Sequence, residues 1–368
     1  MGNEESTLMD GNHAPVLEAP TVDALVKYIK EQNVKHVVVM VGAGISTSAG
    51  IPDFRSPDTG IYANLAFLDL EEPEDIFDID FFRQNPKPFY ALARELYPGQ
   101  YRPTIAHSFV KLLHDKGMLL KHFTQNIDCL ERQAGVPTEK IIEAHGSFAT
   151  QRCIDCKVEY PDDKMKDFVA KGEVPHCLEC NGLVKPDIVF FGEALPEEFH
   201  LNSQLPSSAD LCIVMGTSLT VHPFAALPQR CSPGTPRLLI NMQKVGCMGT
   251  RPDDVSLLGD IDEGVRKFAR ALGWEEELEA VWEETNPDPK DREAENASPQ
   301  TRDERLHDEV DRLTAEVDRT LGLSSAYEQR VRERLGELSV DETSSSSSSS
   351  SSEEGLAHVF PHLAHKSR

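Results

Sequence analysis

Val37, Val38, Val39 and Val41 form a short β-branched apolar run that stops at Gly42 and Gly44. Such a run without polar alternation reads as a strand buried on both faces, the kind found in parallel sheets covered by helices. The small residues that follow let backbone N–H groups approach an anionic ligand, at an expected helix N-terminus where the dipole favours phosphate. The turn therefore reads as a nucleotide pyrophosphate site. It departs from the full dinucleotide fingerprint, because the third glycine is missing and position 47 is Thr47. A plain strand-to-helix turn stands as the alternative. Directly after it, Ile51-Pro52-Asp53-Phe54-Arg55 adds a carboxylate, a ring and a guanidinium on a rigid loop.

The rest of the chain follows a strand-and-helix alternation. Thr21 caps a helix through Gln32, with Leu25, Val26 and Ile29 on one face. Residues 61–100 read as short helices broken by prolines and rich in Phe77, Phe81, Phe82, Phe89 and Tyr90. A helix from Thr104 to Lys116 leads to a second strand, Leu119 to Thr124, with Gln125, Asn126, Ile127 and Asp128 at its carboxyl end. A third strand, Ile141 to Ala144, ends at His145, and ligands of open α/β sheets bind at such ends. Lys185 to Phe191 is expected to return to the sheet, as are Asp210 to Met215, Arg237 to Ile240 and Val255 to Leu258. Helices from Asp260 to Leu272 and through about Trp282 close the core.

Cys153-x-x-Cys156 and Cys177-x-x-Cys180, separated by twenty residues, have the spacing of a zinc site. Each turn presents two thiolates, and two turns close a tetrahedron. Four thiolates leave no position for water, so the zinc is structural rather than catalytic. The remaining four of the 8 cysteines are scattered, which argues against a disulfide framework and for a reducing compartment. A formal net charge of −25 disfavours nucleic acid and anionic membranes and favours basic partners. No secretory leader is visible, and no apolar stretch approaches the ~20 residues of a membrane-spanning helix.

In order, Gly42-Ala43-Gly44-Ile45-Ser46, Gly50 to Ser56, Thr124 to Asp128, His145-Gly146, the two cysteine pairs, Lys185 to Glu193, Gly216 to Leu219 and Asn241 resemble the sirtuins, NAD-dependent protein-lysine deacylases. The resemblance spans roughly residues 21–282 and is nearest the cytoplasmic, sirtuin-two branch of class I. It implies a Rossmann-like α/β parallel sheet with helices on both faces, and a small domain built from a zinc ribbon (about 150–185) and a helical module (about 56–103). It also implies NAD as co-substrate, one structural zinc, and acetylated proteins or histone-tail peptides as partners.

Residue by residue, the resemblance places Ala43, Gly44, Ile45, Ser46 and Thr47 on the pyrophosphate, with Thr217 and Ser218 at the phosphates or adjoining ribose. Asp53, Phe54 and Arg55 flank the nicotinamide ribose, and Gln125, Asn126, Ile127 and Asp128 line the nicotinamide pocket. Asn241, Met242 and Gln243 belong at the adenosine ribose. Ile261 lies near adenine, where relatives often carry Cys. Phe77, Val189, Phe190, Gly192 and Glu193 form the acyl-lysine tunnel and the edge that pairs with an extended peptide. His145 is the general base toward the ribose hydroxyls, Asn126 orients ribose or water, and the products are nicotinamide, free lysine and O-acyl-ADP-ribose. A mono-ADP-ribosyltransferase and a non-catalytic NAD-sensing scaffold are the competing readings.

The ends differ in composition. Residues 1–20 read as a disordered tail whose Gly2, Asn3 and Ser6 match the N-myristoylation pattern, a single anchor giving at most weak membrane contact. Residues 284–368 read as an acidic, Ser-rich tail with one amphipathic helix at about 303–322, marked by Leu306, Val310, Leu313, Val317 and Leu321. That helix could export the protein from the nucleus, dock on the core or form a coiled coil. Cytoplasmic location with nuclear shuttling is the expectation, and oligomeric state is open.

Overall fold

The computed structural model describes residues 14–52 and 72–285. Asp53, Phe54 and Arg55, the Gly2 to Ser6 pattern and the amphipathic segment near Leu306 to Leu321 lie outside the described residues. The chain divides into Met1–Pro287 and Asp288–Arg368, and every described residue belongs to the first unit.

The described strands are β1 (Val37–Val41), β2 (Leu119–Thr124), β3 (Ile141–Glu143), β4 (Gly146–Cys153), β5 (Val184–Ile188), β6 (Leu211–Met215), β7 (Arg237–Asn241) and β8 (Asp254–Leu258). Six of them form one sheet in the order β3-β2-β1-β6-β7-β8, with every neighbouring pair parallel. Renumbered within the sheet this is the 3-2-1-4-5-6 order of dinucleotide-binding folds, whose ligand crevice opens where the order reverses. Here that point is the gap between the carboxyl ends of β1 and β6.

The described helices are α1 (Val22–Glu31), α2 (Ile79–Gln84), α3 (Lys87–Leu96), α4 (Ile105–Asp115), α5 (Leu130–Gln133), α6 (Asp162–Lys171), α7 (Glu197–Asn202), α8 (Ile261–Leu272) and α9 (Glu275–Glu284). Successive residues of a strand point to opposite faces. Val37, Val39 and Val41 accordingly share a core with Leu25 of α1, Phe109 of α4 and Phe268 of α8. Val38 and Met40 share the other core, with Phe199 of α7 and with Phe224 and Leu227 of a 3-10 segment. Thr21 caps α1, its hydroxyl accepting from Ala24 N, and Asp260 caps α8 by accepting from Glu263 N. At the far side of the sheet the buried Arg237 makes two 2.7 Å bonds to Asp254, its register partner, and so ties β7 to β8.

One expectation is corrected. The segment Lys185 to Phe191 does not join the main sheet: β5 pairs antiparallel with β4 in a separate two-stranded ribbon. The reason lies in its polar face, where Arg152 of β4 grips Asp187 of β5 through two 2.7 Å bonds. Its partner β4 exposes Ala149, Thr150 and Arg152, and a half-solvated strand suits an antiparallel ribbon better than the centre of a covered sheet. A third core, of Phe82, Phe89 and Tyr90 with Met165 of α6 and Val184 of β5, joins the ribbon to α2 and α3. The ribbon thus runs from the cysteine knuckles at Cys153 to His145 and Val189, which sit at its opposite end. Among the described residues no helix is long and apolar enough to cross a membrane.

Candidate active site

The turn after β1 is built differently from the expected helix N-terminus. Two 3-10 turns, Ala43–Ile45 and Thr47–Ala49, replace the α-helix. Their N–H groups are turned inward, Ile45 N to Gly42 O, Ser46 N to Ala43 O and Gly44 N to Gly216 O. The cause is a tertiary approach. A Cβ on Gly44 would lie 2.7 Å from Gly216 Cα, and one on Gly42 would lie 2.9 Å from Thr217 Cβ. The two glycine turns, one from each side of the switch point, therefore lie against each other. Thr217 donates from Oγ1 to Gln125 Oε1 at 2.7 Å, bringing the end of β2 into the same cluster.

Beneath the turn, Ser46 links two polar residues from the end of β2. Its hydroxyl donates to Asp128 Oδ2 at 2.7 Å and accepts from Asn126 Nδ2 at 3.2 Å. A small cavity here is lined by Ala43, Ser46, Asn126 and Asp128 against Ile51, Pro52, Leu96 and Ile127. Apolar walls with a few convergent polar groups are the general pattern of a small-molecule site. Burial first, and the Glu131 carboxylate second, push Asp128 up to about 7. Burial alone would also raise Glu131, but the hydrogen bond and charge of His122, followed by the charge of His107, hold it down to about 2. His122 Nε2 lies 3.3 Å from Glu131 Oε1. His107, pushed down to about 4 by burial, uses Nδ1 to accept from Thr104 N at 3.2 Å.

His145 is half-buried at the end of β3. Its Nδ1 lies 3.2 Å from Gln125 O, and a carbonyl only accepts, so Nδ1 carries the proton and Nε2 keeps its lone pair. Burial lowers its pKa, opposed by the bond to Gln125. On the next strand end Val189 N donates to His145 O. Phe190 and Phe77 are buried and meet edge-on at 5.8 Å between centroids, with Phe89 5.0 Å from Phe190. Gly192 has φ +88° and Glu193 accepts from Phe190 N at 3.0 Å.

The remaining expected contacts spread along the carboxyl edge. Asn241 donates to Gln243 O at 2.8 Å, Met242 is 70% exposed and free to meet a ligand, and Ile261 is buried at the start of α8. Thr47 donates to Gly44 O, and Ser218 shares a 2.9 Å bond with Thr220.

At the ribbon's other end the four cysteines converge. Cys153 Sγ is 3.4 Å from Cys180 Sγ and Cys156 Sγ is 3.5 Å from Cys177 Sγ, with all four sulfurs within 4.8 Å of one another. A zinc–sulfur tetrahedron with bonds of about 2.3 Å needs edges of about 3.8 Å, so the set fits that ion. Each knuckle repeats one geometry: Asp155 N donates to Cys153 Sγ and Glu179 N to Cys177 Sγ, while Lys157 and Asn181 take φ +61°.

The Sir2 family model matches residues 42–223. NAD-dependent protein deacetylase hst2-1 of Emericella nidulans is 70% identical over the full length of both chains. The chain is a member of the Sir2 family, a sirtuin. NAD-dependent protein deacetylase sirtuin-2 of Danio rerio is 50% identical over 72% of this chain and 76% of its own. NAD-dependent protein deacetylase hst2 of Schizosaccharomyces pombe is 50% identical over 71% of this chain and 79% of its own. This sirtuin is therefore of class I and of the Hst2 and sirtuin-2 branch, an NAD-dependent protein deacetylase acting on acetylated proteins. The convergent polar groups of Ser46, Asn126 and Asp128 at the switch point fit the NAD that sirtuins use, and the four thiols fit a structural zinc.

The buried set of Thr104, His107, His122 and Glu131 behind Asp128 escaped the reading of the sequence. Thr104 and His107 carry a local signal, the spacing of a capping box, which is present at the start of α4. Glu131 and His122 carry none, because their contact crosses from α5 to β2.

Proposed function

We propose that deacetylation takes place in the switch-point cleft with His145 as general base. The observation that carries this is the bond from His145 Nδ1 to Gln125 O, which leaves Nε2 basic. NAD supplies an electrophilic ribose carbon with nicotinamide as its leaving group. Asn126 orients ribose or water, and Asp128 accepts from the nicotinamide carboxamide. Ala43 to Thr47, Thr217 and Ser218 hold the phosphates, while Asn241, Met242, Gln243 and Ile261 hold the adenosine. Asp53, Phe54 and Arg55 flank the nicotinamide ribose, Phe54 shielding it from water and Arg55 offsetting phosphate charge. Val189, Phe190, Gly192 and Glu193 present the peptide edge, with Phe77 in the tunnel wall.

The substrates are basic protein segments rather than nucleic acid, a reading supported by the net charge of −25. The enzyme works in the cytoplasm and shuttles to the nucleus, with residues 284–368 as a separate tail. Myristoylation at Gly2 adds only reversible membrane contact, because no basic cluster supplies a second signal.

Asp128→Asn tests the nicotinamide assignment. Measured above about pH 7, where the Asp128 carboxylate is ionised, loss of this charge-assisted acceptor is expected to raise the NAD KM and the nicotinamide concentration for half-inhibition by about tenfold or more each. Zinc content and peptide KM stay as in the parent enzyme. Unchanged nicotinamide inhibition contradicts the assignment.

A further inference from the structure

Lys185 is a buried cation that the chemistry above leaves unused. It sits on β5, next to Val184, whose register partner on β4 is the zinc-knuckle residue Cys153. Its ammonium donates to Ile188 O at 2.6 Å and to Pro186 O at 3.3 Å, and lies 2.9 Å from Glu193 Oε2. It also lies 4.5 Å from the centre of the Phe190 ring. Glu193 Oε2 in turn accepts from Phe190 N at 3.0 Å, and Glu193 N donates to Phe190 O at 3.0 Å.

We propose that Lys185 is a positioning residue for the acyl-peptide substrate, its ammonium clamping the loop from Ile188 to Glu193 into the shape of the substrate edge. The proposal rests on the reading of Val189 to Glu193 as that edge. A loop crossing from the ribbon to the cleft has no sheet to hold it. Here one buried charge satisfies the last carbonyl of β5, orients the Glu193 carboxylate over the Phe190 N–H, and lies over the face of the Phe190 ring. A buried ion pair of this kind adds little net stability, but it holds one geometry, because a displaced partner leaves a charge without its counter-ion. The same contacts carry the order of the zinc ribbon into the cleft. Phe191 N to Phe77 O and Ile79 N to Phe191 O then fasten the loop to the helical side.

The test is steady-state kinetics of full-length, zinc-loaded Lys185→Met and Gly192→Ala enzymes, with KM measured separately for acetyl-lysine peptide and NAD. Gly192 has φ +88°, and a Cβ there would lie 3.1 Å from Ile79 Cγ2, so Gly192→Ala perturbs the edge itself. The expected result is a rise of about tenfold in peptide KM for both variants, with NAD KM within about twofold and zinc content unchanged. If Gly192→Ala raises peptide KM and Lys185→Met does not, the role of Lys185 is rejected and the edge stands. If neither does, the edge reading fails and the proposal with it. If Lys185→Met raises both KM values together or loses zinc, the residue is structural and the proposal is overturned. Should Lys185→Met fail to fold, Glu193→Gln carries the same comparison, because it removes the counter-charge and keeps an acceptor for Phe190 N.

Discussion

His145→Ala is expected to lower deacetylation by about 10² to 10⁴-fold, the range for loss of a positioned general base, while melting temperature and zinc content should stay at parental values. The half-buried ring gives its Nδ1 proton to Gln125 O, so little else in the fold depends on it. The pH dependence carries the sign of the same environment. Burial lowers the imidazole pKa below its ordinary value of about 6.5, so the neutral base persists to lower pH than a free histidine would. The acid limb of kcat/KM should therefore fall below about pH 6.5, and activity is lost as pH drops through the lowered pKa. His145→Ala should remove that limb from whatever activity remains. An acid limb above the free imidazole value, or full activity in His145→Ala, removes His145 from the chemistry.

Zinc removal has the second large effect, and it acts through structure. The four sulfurs join two knuckles, of which Ile154 reaches the third core while Leu178 and Val158 lie exposed beside them. Binding of a structural zinc by such sites is worth about 10–16 kcal/mol in zinc-finger peptides, comparable to or larger than the whole stability of an ordinary domain. Cys177→Ser, or extraction with a strong chelator, should release the metal, lower the melting temperature and reduce deacetylation more than tenfold. The Cys177 thiol is brought down to about 7, first by the Cys180 N–H and then by the Glu179 N–H, so it is ready to bind as thiolate near neutral pH. Retained activity in protein shown to be free of metal would remove the structural role.

The central strands were legible because β1, β6 and β7 are buried at every residue, and the apolar runs of β1 and β6 and the Leu238 to Ile240 centre of β7 announce that environment. The zinc site was legible from spacing alone, since two paired turns are a local property. The β4–β5 ribbon was not: Lys185 to Phe191 reads as one more strand of the main sheet, and its antiparallel pairing with β4, held by Arg152 and Asp187, depends on where the two segments meet. The turn at Gly42 to Gly50 was legible as a close approach but not as 3-10 geometry. Its shape is set by Gly216, which arrives from another strand. Likewise Ser46, Asn126 and Asp128 were each legible as candidate site residues, whereas the hydrogen bonds joining them depend on strand order. Burial at Glu131, with His122 and His107 around it, is a tertiary fact with no period to betray it.

The most direct test of the whole account is a product measurement. Purified enzyme, acetyl-lysine peptide and NAD are combined, and free lysine peptide, nicotinamide and the acetyl-bearing product are followed by mass spectrometry. One nicotinamide and one O-acetyl-ADP-ribose should appear for each lysine freed, and nothing should form without NAD. Free acetate released without NAD consumption, or ADP-ribose found on the peptide with its acetyl group still in place, would contradict the account.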